Sequence, residues 1–531
     1  MSTLSFQPEA DRYYAEGYWR PGDLWGDFAA RAHAAPDKVA LILDHRRITY
    51  DELRRAAVGL SGRLAAASVE PGDVVLLLGR HSIEAAVALL GCLHRGVVLA
   101  PLPPMFNVAQ LSALADQTDA KAIVGFGGEK EIAKCEQAAP FVGRLIALVP
   151  ETVDELIAAD AADERAERGA DDITMVMHSS GTTSAPKGIV HSSNTLRYAT
   201  EGICRRWGLD SDDRYLVATE FGFVGGLVFG YFPVLLNGGT GVLMGRWEPE
   251  EALRLIEEHR CSYVLLMPTH AADTLLAAQA TTRDLSSMRV LGAPGLTPER
   301  RLAMLSAFGT PPLGDYGLSE VPGHAAHGPH ETEAKLLTTE GRPYDGTEIR
   351  ILDRGGAPLP PHEVGDVVVN GPSRFLFFLG NEDLTRESLT GWGGYRTGDL
   401  GYLDDDGHLV YVGRSKDIIR RGGVTVVPAE VEPVLMRHPA VHEAAVVPLP
   451  DERLGERACA ALIVKGGQRA PTLAELQEFL EREGVAKYMW PESVEVFDAF
   501  PRTSSLKVVK RGLVEQIVAR AGAHAPAGRL N

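Results

Sequence analysis

Two periodicities of apolar residues alternate along the first 170 residues. "KVALIL" (38–43) and "RITY" (47–50) are short strand-forming runs, while "DELRRAAVGLSGRLAAA" (51–67) sets its apolar residues at helical spacing. "DVVLLLG" (73–79) is a continuous apolar run of strand length, and "SIEAAVALLGCLHRG" (82–96) returns to the helical period. "VVLAPLPPM" (97–105) then runs into prolines, which predict the end of a sheet interior. Strands alternating with helices predict a layered α/β architecture with substantial parallel pairing. There is no tandem repeat and no long low-complexity tract.

Farther along, "ITMVM" (173–177) predicts a buried strand, and "SSNTLRYATEGICRRW" (192–207) predicts a helix capped by Ser192 or Ser193. The stretch "HSSGTTSAPKGIVH" (178–191) between them concentrates hydroxyls, glycine and fixed positive charge. Placed between a strand and a helix, such a loop can collect an anion on backbone N–H groups and a helix N-terminus. "YLDDDGHLVYVG" (402–413) predicts a hairpin around Asp-Gly, and "AELQEFLEREG" (474–484) a helix in a shorter mixed region near the end.

At 531 residues the chain is long enough for at least two domains. Its formal charge of −18 argues against nucleic acid or an acidic membrane as the main partner, but not against an anionic small molecule. Cys92, Cys135, Cys204, Cys261 and Cys459 lie far apart with no C-x-x-C spacing, so neither a zinc site nor a disulfide framework is predicted. "MSTLSFQPEADRYY" lacks the form of a secretion signal, and the apolar "GGLVFGYFPVLL" (225–236) is too short and glycine-rich to span a bilayer. These features predict a cytoplasmic protein without a membrane span.

The hydroxyl-rich loop is not a Walker loop. Pro186 stands where the second glycine belongs, and Gly188 replaces the magnesium-binding hydroxyl. An ordinary polar surface loop is the plain alternative. Three distant stretches bear on the choice: "DYGLSE" (315–320), "YRTGDLGYLDDDGHLVYVGRSKDIIRRGG" (395–423) and "PRTSSLKVVKR" (501–511). In that order, together with "SSGTTSAPKG", they resemble the adenylate-forming superfamily of acyl-CoA synthetases, adenylation domains and luciferases. The resemblance runs over essentially the whole chain. It implies a large N-terminal domain of layered sheets and helices (1–413), a hinge (414–416), and a small mobile α+β C-terminal lid (417–531). It also implies ATP, Mg2+ and CoA as cofactors. A carboxylate attacks the α-phosphate of ATP, pyrophosphate leaves, and a thiol displaces AMP from the acyl-adenylate.

Carried over residue by residue, the resemblance places Ser180, Gly181, Thr182, Thr183, Ser184 and Lys187 around the phosphates, with Ser184 standing where the pattern has glycine. Glu320, with Thr183, matches the magnesium ligands; an exposed glutamate opening a helix is the plain alternative. Asp315, Tyr316, Gly317 and Ser319 fall on the adenine side, as does "GAP" (Gly292, Ala293, Pro294); the plain alternatives are a core tyrosine for Tyr316 and, fitting equally well, an ordinary turn for "GAP". Asp399 matches the ribose carboxylate, and Arg414 its support or a structural ion pair. Lys507 matches the adenylation lysine, with Leu506 where the pattern has glycine; taken alone it reads as a solvated lysine. Lys416 falls at the hinge, and Gly422 and Gly423 on the path of the pantetheine arm.

For the acid, "RYYAEGYW" (12–19) and the hinge lysine resemble the aryl- and alicyclic-acid branches. Phe221, Gly222 and Phe223, with Gly292 and Gly317, are the candidate acyl pocket, in a phenylalanine–small–aromatic pattern like that of benzoate-type CoA ligases. A well-packed helix core fits the same residues. A CoA ligase for an aromatic or alicyclic acid is expected. Alternatives are a stand-alone enzyme loading a carrier protein in trans, a medium- or long-chain fatty-acyl ligase, and a non-catalytic nucleotide-binding relative. A homodimer stays open.

Overall fold

A computed structural model describes residues 3–159, 161–165, 167–178, 187–422, 424–451, 453–502 and 508–523. Two seven-stranded sheets dominate the first 380 residues. One runs in the order Pro312–Leu313, Val290–Gly292, Tyr263–Leu265, Arg214–Val217, Thr240–Leu243, Val39–Leu43, Arg46–Thr49, parallel except for its last pair. The other runs Phe377–Phe378, Gly188–Ser192, Ile173–His178, Val98–Leu102, Val74–Leu78, Ala122–Gly125, Leu145–Ala147. Its pairs are parallel except the two that flank Gly188–Ser192, which are antiparallel.

The continuous apolar strands follow from burial on both faces. In Val74–Leu78, Val75 and Leu77 join the central core between the sheets, while Leu76 and Leu78 face an outer cluster with Leu111, Leu114 and Cys135. Tyr215, Val217, Tyr263 and Leu265 enter the same central core from the other sheet, and Leu216 and Val264 face its outer helices. The helices Tyr50–Ala66, Ile83–Arg95 and Ser193–Trp207 fill the central layer. Thr49 and Glu52 close a capping box on the first, which fixes where the helical period begins.

Two sequence expectations need correction. The strand Val98–Leu102 contains Pro101, which pairs with Leu77. On its other side the ladder is registered at Leu99↔Met175, two residues earlier, so the missing N–H falls past that ladder. The hydroxyl-rich loop does not lead directly into a helix either. Gly188–Ser192 is a fully buried strand antiparallel to Ile173–His178, and Ser192 caps the helix only after it. The Ser192 side chain is buried and accepts from the Thr195 N–H, so that helix terminus is not free to hold an anion at the loop.

A four-stranded antiparallel sheet follows, Glu348–Leu352, Gly365–Asn370, Tyr395–Leu403 and Leu409–Arg414, in that order. Its last pair is the Asp-Gly hairpin. Past the single turn Ser415–Asp417, a separate five-stranded sheet with helices Pro428–Met436, Leu473–Arg482 and Lys510–Ala523 builds two cores of its own. No helix among the described residues is long and apolar enough to cross a membrane.

Tyr50 ties the central layer together: its buried hydroxyl lies 2.7 Å from Val234 O and 2.8 Å from Gly239 O. Tyr50→Phe removes that shared O–H from a dry core, where Val234 O keeps the Gly238 N–H at 3.0 Å but Gly239 O loses its side-chain donor. The expected loss is about 1–3 kcal/mol, read as a lower urea midpoint at unchanged slope. An unchanged midpoint would mean that Gly239 O is satisfied without it.

Candidate active site

Asp399 is 1% exposed. It lies on Tyr395–Leu403 and faces Arg414 across the hairpin, with Arg414 Nε 2.8 Å from Asp399 Oδ1. The Tyr316 hydroxyl, from the short sheet Asp315–Tyr316, Ala325–Ala326, Arg342–Pro343, donates to Asp399 Oδ2. The Asp399 amide donates to Thr397 Oγ1 at 3.0 Å, and that hydroxyl donates to Val367 O at 2.8 Å. Burial and the Asp399 carboxylate raise the Tyr316 phenol far above its ordinary value, so it stays a donor. The structure thus brings Tyr316, Asp399 and Arg414 into one cluster.

Glu320 stands at the tip of a tight turn in which Leu318 and Val321 exchange backbone hydrogen bonds, rather than opening a helix. Burial raises its carboxyl pKa; hydrogen bonds, including one from the Tyr395 hydroxyl, and the charges of Lys187 and Arg414 oppose that rise. Two contacts hold its backbone. Phe375 N donates to Glu320 O at 2.7 Å, and His191 Nε2 donates to Ser319 O at 2.8 Å. Burial lowers the His191 pKa to about 4, so the ring is neutral, with Nδ1 3.1 Å from Thr195 Oγ1. Lys187 is half-buried, its Nζ 5.2 Å from the centroid of the Phe378 ring.

Ser180, Gly181, Thr182, Thr183 and Ser184 lie outside the described residues, as do Gly423 and Lys507. The flanks of the loop are described: His178 pairs with Gly188, so residues 179–187 join two antiparallel strands. Gly292 ends a strand against Trp207, where a β-carbon would come within 2.8 Å of the indole. Ala293 is buried, Pro294 half-buried and Gly317 exposed. Phe221 is 0% exposed and sits edge-on to Phe126, Tyr231 and His81, so its ring belongs to the core. Gly222 has φ +92°, and a β-carbon there would sit 2.4 Å from Pro103 N, which leaves only glycine. Phe223 is half-buried. Lys416 is exposed in the turn Ser415–Asp417, and the Gly422 amide donates to Leu454 O at 2.8 Å.

His191, Phe375, Phe378 and Tyr395 were not identified from sequence as site residues. Only Tyr395 carried a signal, since it opens the run "YRTGD". A second carboxylate cluster, Asp404 and Asp406 with His408, has metal-like spacing. Lys335 Nζ already occupies it, 2.5 Å from Asp404 and 2.7 Å from Asp406, so it is an ion-pair network on the hairpin turn.

Asp315 is buried beside Tyr344, whose hydroxyl donates to Oδ1 at 3.2 Å. Burial raises its carboxyl from 3.8 to about 7. Between those values the folded chain holds a proton that the unfolded chain has released, so stability falls as pH rises through the window. From about pH 5.5 to 7.5 the wild-type chain should lose about 2 kcal/mol relative to Asp315→Asn. Paired urea titrations at the two pH values test this, and a pH-independent difference would refute it.

The family described as "AMP-binding enzyme" matches residues 28–378, and "AMP-binding enzyme C-terminal domain" matches residues 430–507. The chain is 30% identical to the medium-chain fatty-acid–CoA ligase of Escherichia coli (strain K12), over 98% of this chain and 94% of that protein. It is 33% identical to a feruloyl-CoA synthase of Amycolatopsis sp, over 90% and 96%. The structure of o-succinylbenzoate coenzyme A synthetase from Bacillus subtilis in complex with ATP and magnesium superposes with a TM-score of 0.82 at 27% identity, covering 93% of this chain and 100% of that one. With both domains matched in order and a relative aligned from end to end, the chain belongs to the AMP-binding enzymes, the adenylate-forming family.

Proposed function

We propose that the chain is an AMP-forming acid–thiol ligase that converts an aromatic or alicyclic carboxylic acid to its CoA thioester through an acyl-adenylate. The observation that carries the reading is the convergence of Tyr316, Asp399 and Arg414 beside Glu320 and Lys187. One side offers a carboxylate able to accept from both ribose hydroxyls, backed by Arg414. The other pairs a candidate metal ligand with a fixed cation, as phosphoryl chemistry requires.

On this reading Thr182, Thr183 and Ser184 donate to the β- and γ-phosphates, and Lys187 offsets charge on the departing pyrophosphate. Glu320 and Thr183 would hold magnesium, which neutralises phosphate charge when bound. Asp315, Tyr316, Gly317, Ser319 and the Gly292–Ala293–Pro294 loop face the adenine. Lys507 bridges the attacking carboxylate and the phosphate. Residues 1–413 form the ATP- and acid-binding domain and 417–531 the lid. Rotation at Lys416 would then withdraw Lys507 and bring Gly422 and Gly423 to the pantetheine arm.

An aromatic acid is supported by the feruloyl-CoA synthase relative. Phe223 is the member of the phenylalanine–glycine–phenylalanine run with surface left to meet a ligand. A fatty acid is the second reading, favoured by the medium-chain ligase relative.

Mass spectrometry of the purified chain with ATP, magnesium and a panel of aryl, alicyclic and fatty acids, with and without CoA, tests the reading. Aryl- or alicyclyl-CoA is expected. Fatty acyl-CoA alone would overturn the acid class, and an adenylate that persists despite CoA would overturn CoA as the acceptor. Lys507→Ala should slow adenylation by about 10²-fold or more while sparing thioester formation from supplied acyl-adenylate. Equal loss in both half-reactions contradicts the role given to Lys507. Gly423→Leu should do the reverse, and normal CoA turnover in that variant removes the proposed pantetheine path.

A further inference from the structure

The run Arg374–Phe378 touches Glu320, Tyr395, Lys187 and the strand Gly188–Ser192. Phe375 N donates to Glu320 O at 2.7 Å, and Leu376 N donates to Val190 O at 2.8 Å. The Phe375 ring lies 5.3 Å from the ring of Tyr395, whose hydroxyl donates to Glu320. Phe377 and Phe378 pair with Val190 and Ile189 on the strand that follows the phosphate loop, and the Phe378 ring sits beside the Lys187 ammonium. A shift of this run would move Glu320 and Lys187 together.

Its first residue is fastened by the N-terminus. Arg374 is 0% exposed, and among the described residues no carboxylate pairs with it. Its partners are neutral: Phe6 O, Gln7 Oε1 at 2.9 Å, Asn370 Oδ1 at 3.3 Å and Phe375 O at 3.3 Å. Gln7 returns the contact, donating from Nε2 to Arg374 O at 3.0 Å and to Phe375 O at 2.8 Å. Farther along the same segment, Trp19 Nε1 donates to Pro372 O at 3.0 Å, and Arg197 reaches back to Gly22 O and Asp27 from the helix Ser193–Trp207. Residues 4–27 precede the matched family region, which begins at residue 28.

We propose that Arg374, clamped by Phe6 and Gln7, is a positioning residue that holds Glu320 and Lys187 in register for magnesium and the β- and γ-phosphates. A buried guanidinium bonded to carbonyls alone has no looser arrangement available, since each lost acceptor leaves a desolvated charge. That rigidity passes through Phe375 to the Glu320 carbonyl and through Phe378 to Lys187. None of the clamp's hydrogen bonds reaches Asp399, Arg414 or Tyr316, whose own contacts hold the nucleoside side, so that side depends on the clamp far less. The proposal rests on the adenylate-forming reading given above.

Calorimetric titration of the full chain with MgATP and, separately, with AMP tests it. Arg374→Met and Gln7→Met should each weaken MgATP binding by about 10-fold, in line with loss of an outer-shell partner, and leave AMP affinity within about twofold. Gln7→Met keeps the buried guanidinium in place and decides the matter if Arg374→Met does not fold. MgATP and AMP affinities that fall together would mark a merely structural role and overturn the proposal, as would unchanged MgATP binding in a folded variant. A wild-type chain that binds neither nucleotide would overturn the adenylate-forming reading and this inference with it.

Discussion

A carboxylate with almost no exposed surface must be compensated on the spot, because unpaired buried charge costs several kcal/mol. Asp399 meets that demand from two directions: Arg414 across its own hairpin and Tyr316 from a different sheet. The arrangement ties the end of the four-stranded sheet to the strand Asp315–Tyr316 and fixes the last residue before the turn Ser415–Asp417. Glu320 lies four residues past Tyr316 and accepts from Tyr395, four residues before Asp399. Tyr395 thus links the two halves of the candidate site, while the Asp399 pair holds the nucleoside side through its own contacts with Arg414 and Tyr316.

Much of the scaffold was legible because burial on both faces leaves a plain mark. "DVVLLLG" and "KVALIL" could form only short buried strands, and the capping residues at Thr49 and Ser192 stand where the helical period starts. The strand Gly188–Ser192 was not legible. Five residues, among them a histidine and a serine, carry no period, and only the partner strand Ile173–His178 and the far run Phe377–Phe378 stabilise them as a ladder. Pro101 misled for a related reason: whether a missing N–H matters depends on a neighbouring strand more than 70 residues away.

Site residues divide in the same way. Tyr316, Glu320, Asp399 and Arg414 sit in runs whose order along the chain carries a resemblance, and the fold brings all four within a few side-chain lengths. His191, Phe375 and Phe378 act through backbone bonds or a ring face, and many residue types can do that, so no pattern marks them. Phe221 shows the converse. Its pattern resembles a pocket, but three aromatic neighbours place the ring wholly inside the core. Gly222 explains how both can hold. Its positive φ and its approach to Pro103 turn the chain so that consecutive phenylalanines, Phe221 and Phe223, differ in burial.

Two buried or nearly buried charges near the site are handled in opposite ways, and the contrast bears on what each can do. Asp399 is paired with a guanidinium and a phenol, yet a carboxylate has about four lone-pair directions, so it can still accept from a ligand. Arg374 has no acceptor capacity and faces neutral oxygens only. It cannot take part in chemistry as an acceptor, and four of its five N–H groups bond backbone and amide oxygens. What remains to it is geometry. The N-terminal segment supplies two of its partners, Phe6 O and Gln7, from more than 360 residues away in sequence. Such a closure is entropically expensive in the unfolded chain, and its return is a site whose two phosphate-side charges move as one body.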